Sequence, residues 1–365
     1  MKRMRRIMQI VLYVFIAGLG LFLLVLTIAV IIGYSFSAPA YKGPVSAHFD
    51  GTKFVNTPPF YHGFLDVIKW GFARDPGVWP KWIDEPYGPP PPERVADGRL
   101  RVTYINHATV LVQMDGVNIL TDPVWANSLS PLGFWGPVRH RNPGLRMEDL
   151  PPLSAVLISH NHYDHMDVVT LRQLAGASNS QAPARSGTPR FITTLGNTQE
   201  LQLNGIANST DMDWWDTIDL GPVKVTCVPA LHFSGRGIGD RNRTLWGGFV
   251  ISGPSGSVYF VGDTGFGPQF EQVRQRFPDV RLALLPIGAY RPKWFMTPVH
   301  LQPDDAVRAH VALGARYSIP IHYGTFNQAD DGLTEPTEDL ASSLAERHPE
   351  KPFMVAKEGI GVEIP

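Results

Sequence analysis

The chain has 365 residues, enough for one large or two ordinary domains around a sizeable core. Lys plus Arg (32) balance Asp plus Glu (33), and no basic tract follows the first six residues, which argues against nucleic acid as a partner. Cys227 is the single cysteine, which excludes an intrachain disulfide and a cysteine-based zinc site.

Residues 1–6 carry four cations, Lys2, Arg3, Arg5 and Arg6. Residues 7–33 are then almost wholly Leu, Ile, Val, Phe and Gly, without a charge. About 20 apolar residues cross a bilayer as a helix, so this stretch reads as one transmembrane helix. The flanking cations predict a cytoplasmic N-terminus and an extracytoplasmic body, periplasmic in a Gram-negative cell. The competing reading is a cleaved signal peptide ending near Ser37-Ala38-Pro39-Ala40. The apolar run exceeds the usual ~7–15-residue core of such a peptide, which favours a single-pass anchor.

Residues 34–98 are rich in proline, with Pro89-Pro90-Pro91-Pro92 as the extreme, so long helices are precluded. Phe64, Val67, Ile68 and Phe72 recur at helical spacing and predict one short amphipathic helix. Phe49, Phe54, Phe60, Trp70, Trp79 and Trp82 argue for a strap packed on the body, since a disordered linker lacks aromatics.

Residues 99–365 read as the main domain. Strands are expected at 101–105, 110–114 and 117–120, with an Asp115-Gly116 turn between the last two. A second set is expected at 223–228, 249–251, 258–261, 282–285 and 318–321. Helices are expected at 167–174, 269–276, 304–313 and 335–347. Two meanders, each followed by helices, predict an α/β fold of two sheets face to face with helices outside.

The chemistry concentrates in His160-Asn161-His162-Tyr163-Asp164-His165, directly after the apolar run 155–159. Imidazole and carboxylate donors suit zinc, iron or manganese, and a strand end holds such donors on a rigid frame. The spacing lets His160 and His162 close on one ion and Asp164 and His165 turn to a second; a merely His-rich polar loop is the alternative. His232, Asp263 and His322 also follow apolar runs, and their recurrence at strand ends points to one shared edge.

These motifs resemble the metallo-β-lactamase superfamily. Asn106-His107-Ala108-Thr109, Thr121-Asp122-Pro123, Leu245-Trp246-Gly247, Pro286 to Tyr290, Trp294-Phe295-Met296 and Ile321 to Phe326 resemble more narrowly its N-acylphosphatidylethanolamine-hydrolysing phospholipase D branch. The resemblance implies an αββα sandwich with two Zn2+ ions. One ion is held by His160, His162 and His232, the other by Asp164, His165 and His322, and Asp263 bridges. It implies a zinc-dependent hydrolase that releases N-acylethanolamine and phosphatidic acid by attack of a metal-bridging hydroxide, with Asp263, Asp164 and His322 as the catalytic set. Tyr163 matches an aromatic that lines the family's lipid pocket. Val299-His300 stands where the family has a Gln-His pair near the head group, so His300 is retained and the Gln is missing.

His107 and Asp122 are candidates for orienting the ligands from behind. Arg236, Arg241 and Arg243 follow His232 and are candidates to meet an anionic head group, Arg243 foremost, against a solvated-loop reading. Trp214-Trp215 could wall an acyl groove or pack in the core. The expected partners are a membrane phospholipid, the membrane itself and, in a dimer, a second copy. Two alternatives stay open: another hydrolase of the superfamily, on a lactone, amide or ester, and a non-hydrolytic zinc-containing envelope protein. A closed mononuclear site would mark the latter.

Overall fold

The computed structural model describes residues 2–60, 62–96, 98–133, 136–176, 187–347 and 352–365. Helix α1 covers Lys2–Ser35, and its Arg3–Ser35 portion is long and apolar enough to cross a membrane. Helix α2 covers Phe64–Phe72, where the spacing predicts it.

Thirteen strands follow among the described residues: β1 (Leu100–Asn106), β2 (Thr109–Met114), β3 (Val117–Thr121), β4 (Ala155–Ile158), β5 (Arg190–Thr194), β6 (Ser209–Met212), β7 (Thr217–Asp219), β8 (Lys224–Val228), β9 (Gly248–Gly253), β10 (Gly256–Phe260), β11 (Val280–Pro286), β12 (Tyr317–Ile321) and β13 (Gly361–Ile364). The helices between them are α3 (Val168–Leu174), α4 (Thr198–Leu203), α5 (Gln269–Arg276), α6 (Lys293–Met296), α7 (Pro303–Leu313) and α8 (Glu335–Arg347). One sheet has the order β13-β1-β2-β3-β4-β5-β6, the other β12-β11-β10-β9-β8-β7.

The alternation of side chains builds the layers. Ile119 of β3 points between the sheets, where Val102, Val112 and Leu157 meet Cys227, Phe249, Phe260 and Ile319. Its neighbour Leu120 points outward, against Leu171 of α3 and Leu201 of α4. On the other side Val250, Tyr259 and Leu285 carry Phe270 of α5, Val307 of α7 and Leu340 of α8. The expected αββα sandwich is therefore present. Pro320 sits inside β12, an edge strand of its sheet, which is where a residue without an N–H is tolerated.

The strap lies on the body. Phe49 and Phe54 are buried with Ala230, Leu245 and Trp246. Arg74 pairs with Asp330, and Trp79 Nε1 donates to the Asp331 carbonyl at 2.9 Å. Asn56 reaches furthest, since its amide accepts from the His232 N–H at 3.2 Å and donates to the His232 carbonyl at 2.8 Å. Phe54→Ala is expected to lower stability by about 3–5 kcal/mol through the cavity it leaves, read by denaturant melts in detergent.

Candidate metal centre

Four strand ends meet at one edge of the sandwich. The loop after β4 carries His160 to His165. Sheet order brings the ends of β8, β10 and β12 alongside, with His232, Asp263 and His322. Three residues around this edge, His107, Asp122 and His322, have positive φ (46°, 31° and 63°). Each such non-glycine residue costs about 1–3 kcal/mol, a strain that surrounding contacts must hold in place. The His322 N–H donates to the His107 carbonyl at 2.7 Å, which ties two of the three together.

The donor atoms fall into linked groups. His160 Nε2 lies 2.8 Å from His162 Nδ1, which lies 3.3 Å from His232 Nε2. On the other side His165 Nε2 and His322 Nε2 lie 3.2 and 3.4 Å from Asp164 Oδ2. Asp263 Oδ2 stands between: it is 3.1 Å from His322 Nε2, 3.3 Å from His165 Nε2 and 3.8 Å from His232 Nε2. Within each group, the donor atoms lie within 4.8 Å of one another.

An outer layer fixes the rings. His165 Nδ1 donates to Asp122 Oδ2 at 2.6 Å, and Ser159 Oγ donates to the same oxygen at 2.6 Å. His232 Nδ1 donates to the Val299 carbonyl at 2.8 Å, which leaves its Nε2 lone pair facing inward. His107 Nε2 and Gln328 Nε2 donate to Asp164 Oδ2 at 3.0 and 2.8 Å.

Electrostatics separate the two halves. Burial, and then the neighbouring imidazoles, push His160 well below the ordinary histidine range. Burial also lowers His162 to about 4, against the pull of Asp164. Burial opposes charge on His165 as well, but Asp263, Asp164 and Asp122 together outweigh it and raise its pKa well above the usual value. His322 is raised to about 9 because Asp263 and Asp164 outweigh its burial. Burial works against ionised Asp263 too, yet His322 and His165 hold its pKa well below the carboxylate range.

This arrangement fits a cation. His165 Nε2, His322 Nε2 and Asp263 Oδ1 are buried without a hydrogen-bond partner. A buried polar atom left unpaired costs roughly 1–3 kcal/mol, and a metal ion that takes the place of the imidazole protons among these atoms removes that cost. The donor set is all nitrogen and oxygen, which suits zinc, iron or manganese. Asp122→Asn removes the charge behind His165 and is expected to weaken metal affinity about 10–100-fold, measured by competition with a chromogenic chelator.

A cavity of about 380 Å³ opens onto the donors. His162, Asp164, Asp263, His300 and His322 form its polar end; Leu129, Trp70, Phe233 and Phe295 line much of the rest, together with His62, Arg241 and Gln328. Tyr163 and His300 both line it, and His300 Nδ1 is 3.7 Å from Asp263 Oδ2. Arg243 does not line it; its side chain is exposed, and Arg241 occupies the wall instead. Arg236 is committed elsewhere, with its guanidinium 4.0 Å from the Tyr163 ring and donating to the Asn161 and Met166 carbonyls. Trp214 is half-buried against the core with Nε1 donating to the Trp246 carbonyl at 2.7 Å, and neither it nor Trp215 lines this cavity. Gln328 and Asn56 were not singled out by the sequence. Gln328 lies in a patternless loop six residues past His322, and a search of loops after ligand-bearing strand ends is the signal that would have found it.

Comparison with known proteins agrees with this geometry. A family model described as the β-lactamase superfamily domain matches residues 117–323. An uncharacterised protein of Mycobacterium tuberculosis is 37% identical over 313 residues, covering 83% of this chain and 81% of that protein. The N-acyl-phosphatidylethanolamine-hydrolyzing phospholipase D 1 of Caenorhabditis elegans is 36% identical over 236 residues, covering 63% of this chain and 65% of that protein. A metal-dependent hydrolase of Pyrobaculum neutrophilum is 31% identical over 231 residues, covering 62% of this chain and 85% of that protein. With more than half of its length matched and its buried donors gathered at one sheet edge, the chain belongs to the metallo-β-lactamase superfamily, as a metal-dependent hydrolase.

Proposed function

We propose that the protein is a membrane-anchored zinc phosphodiesterase of phospholipase D type, releasing N-acylethanolamine and phosphatidic acid from N-acylphosphatidylethanolamine. The observation that carries this reading is the cavity: an apolar trough ends directly on a carboxylate–imidazole cluster, as an amphiphile with a buried phosphodiester requires. The likeness to the Caenorhabditis elegans enzyme supports the same substrate class. Helix α1 and the four cations before it support an anchor with its N-terminus in the cytoplasm and the catalytic body outside.

His160, His162 and His232 would hold one Zn2+, Asp164, His165 and His322 a second, and Asp263 would reach both. Two such ions supply a nucleophile at neutral pH and neutralise charge on the attacked phosphate. The protein's own groups do the rest. Leu129, Trp70, Phe233 and Phe295 hold acyl chain and keep the polar end dry, and the Tyr163 ring closes the wall between them and the donors. Asp263, with Oδ2 3.1 Å from His322 Nε2 and 3.8 Å from His232 Nε2, holds the two halves of the centre at a fixed spacing. As the water oxygen joins phosphorus, the bond to the ethanolamine oxygen breaks, and that oxygen needs a proton. His300, which faces the cavity, is placed to pass that oxygen the proton given up by the attacking water.

The test is side-by-side incubation of the zinc-loaded full chain in detergent with N-acylphosphatidylethanolamine, a lactone and a β-lactam. Rapid release of N-acylethanolamine with no turnover of the other two is expected. Preferential opening of the lactone or lactam would replace this substrate class.

A further inference from the structure

Helix α2 is apolar on more than one side, and only its Trp70 side is covered. Trp70 lines the metal-centre cavity and stacks on Phe295, with centroids 5.1 Å apart; Val67 lines the same cavity but is itself exposed. On the outer side Leu65 and Phe72 are 76% and 91% exposed, with Ile68 between them also exposed. Large apolar side chains do not stay this bare on a helix next to an active site without a partner.

The partner is indicated by where α1 meets the body. The Ile238 N–H donates to the Gly33 carbonyl at 3.0 Å, the Ala38 N–H to Asp240 Oδ2 at 2.8 Å, and the Gly239 N–H to Ser37 Oγ at 2.9 Å. The apolar helix is thus seated on the 237–240 loop. A second cavity, of about 400 Å³, lies at this seat, lined by Ser35, Phe36 and Arg236. Tyr163 lines both it and the metal-centre cavity, so the seat of α1 and the trough that α2 borders share a wall residue. The rim also carries cations: Lys69 of α2 holds its ammonium 4.7 Å from the Trp294 ring, and Lys293 is exposed beside it. Apolar side chains flanked by Lys and Trp are the pattern of a helix lying in a membrane interface.

We infer that α2 lies in the surface of the bilayer that α1 crosses, with Leu65, Ile68 and Phe72 among the lipid acyl chains and Lys69 and Lys293 at the head groups. The mouth of the cavity then opens against the lipid layer, and α2 is both part of its wall and its membrane contact. This rests on the reading of α1 as a membrane span.

The experiment places one fluorophore at a time on the full chain in vesicles of phosphatidylethanolamine and phosphatidylglycerol. The substitutions are Leu65→Cys, Phe72→Cys, Leu21→Cys within α1, and Lys224→Cys at the start of β8, the end remote from His232. Cys227 is buried and does not compete for label. Labels at 65 and 72 are expected to be quenched several-fold more by nitroxide lipids than by aqueous iodide, with 224 showing the reverse. Labels at 65 and 72 that follow 224, while 21 stays lipid-exposed, overturn the seat of α2 and leave the span standing. A water-exposed label at 21 overturns the span, and the inference with it.

Discussion

Asp263→Asn is expected to abolish turnover while the fold survives. Asp263 Oδ2 is the one oxygen near both halves of the centre, 3.3 Å from His165 Nε2 and 3.8 Å from His232 Nε2. Asparagine keeps the shape and removes the charge. It also turns one of the two oxygens into a donor that faces His322 and His165. Losing an outer partner costs about 10–100-fold, and losing the shared donor should exceed that, so a rate above about a tenth of wild type contradicts the assigned role. The metal-free variant has a further defect. Asp263 is the largest influence raising His165 and His322, so removing it takes a charge partner from two buried imidazoles and is expected to destabilise the metal-free fold. Circular dichroism should therefore show native structure, with a lower melting temperature that added metal does not fully restore.

Metal removal gives the second large effect. Chelation is expected to reduce hydrolysis to background and to lower the melting temperature, and zinc is expected to restore both. The stability change follows from linkage: a ligand held only by the folded state, at 1,000 times its Kd, adds about 4 kcal/mol. The buried orphan atoms of His165, His322 and Asp263 are the physical source of that dependence. Undiminished turnover at a metal content of zero would contradict a metal-dependent reaction.

Much of this architecture is legible in the amino-acid sequence. The strands that carry donors are short and mostly apolar and are followed within four residues by His or Asp, so β4, β8, β10 and β12 are legible from residue pattern. Helices with strong end signals were equally readable: α7 has Pro303 at its first turn and Gly314 at φ 66° beyond its last, and α5 and α8 fall where spacing puts them. The edge strands β6 and β7 were not. β6 shows no alternation and β7 is only three residues long, and their residues are largely polar or exposed. Strand β5 pairs in parallel between β4 and β6, and its five residues are too few for a period to show. At the site, ligand-type residues announce themselves by chemistry. Asn56 and Gln328 do not, since amides far apart in sequence gain their role only when the fold sets them against His232 and Asp164. Arg243 illustrates the converse: a cation near a ligand in sequence points away from the cavity, while Arg241 two residues earlier lines it.

The most direct measurement is anomalous diffraction at the zinc edge, combined with elemental analysis of the same preparation. Two ions per chain are expected, roughly 3.5–4 Å apart, with Asp263 in contact with both. A single ion, or ions held away from His160, His232 and His322, would contradict the account.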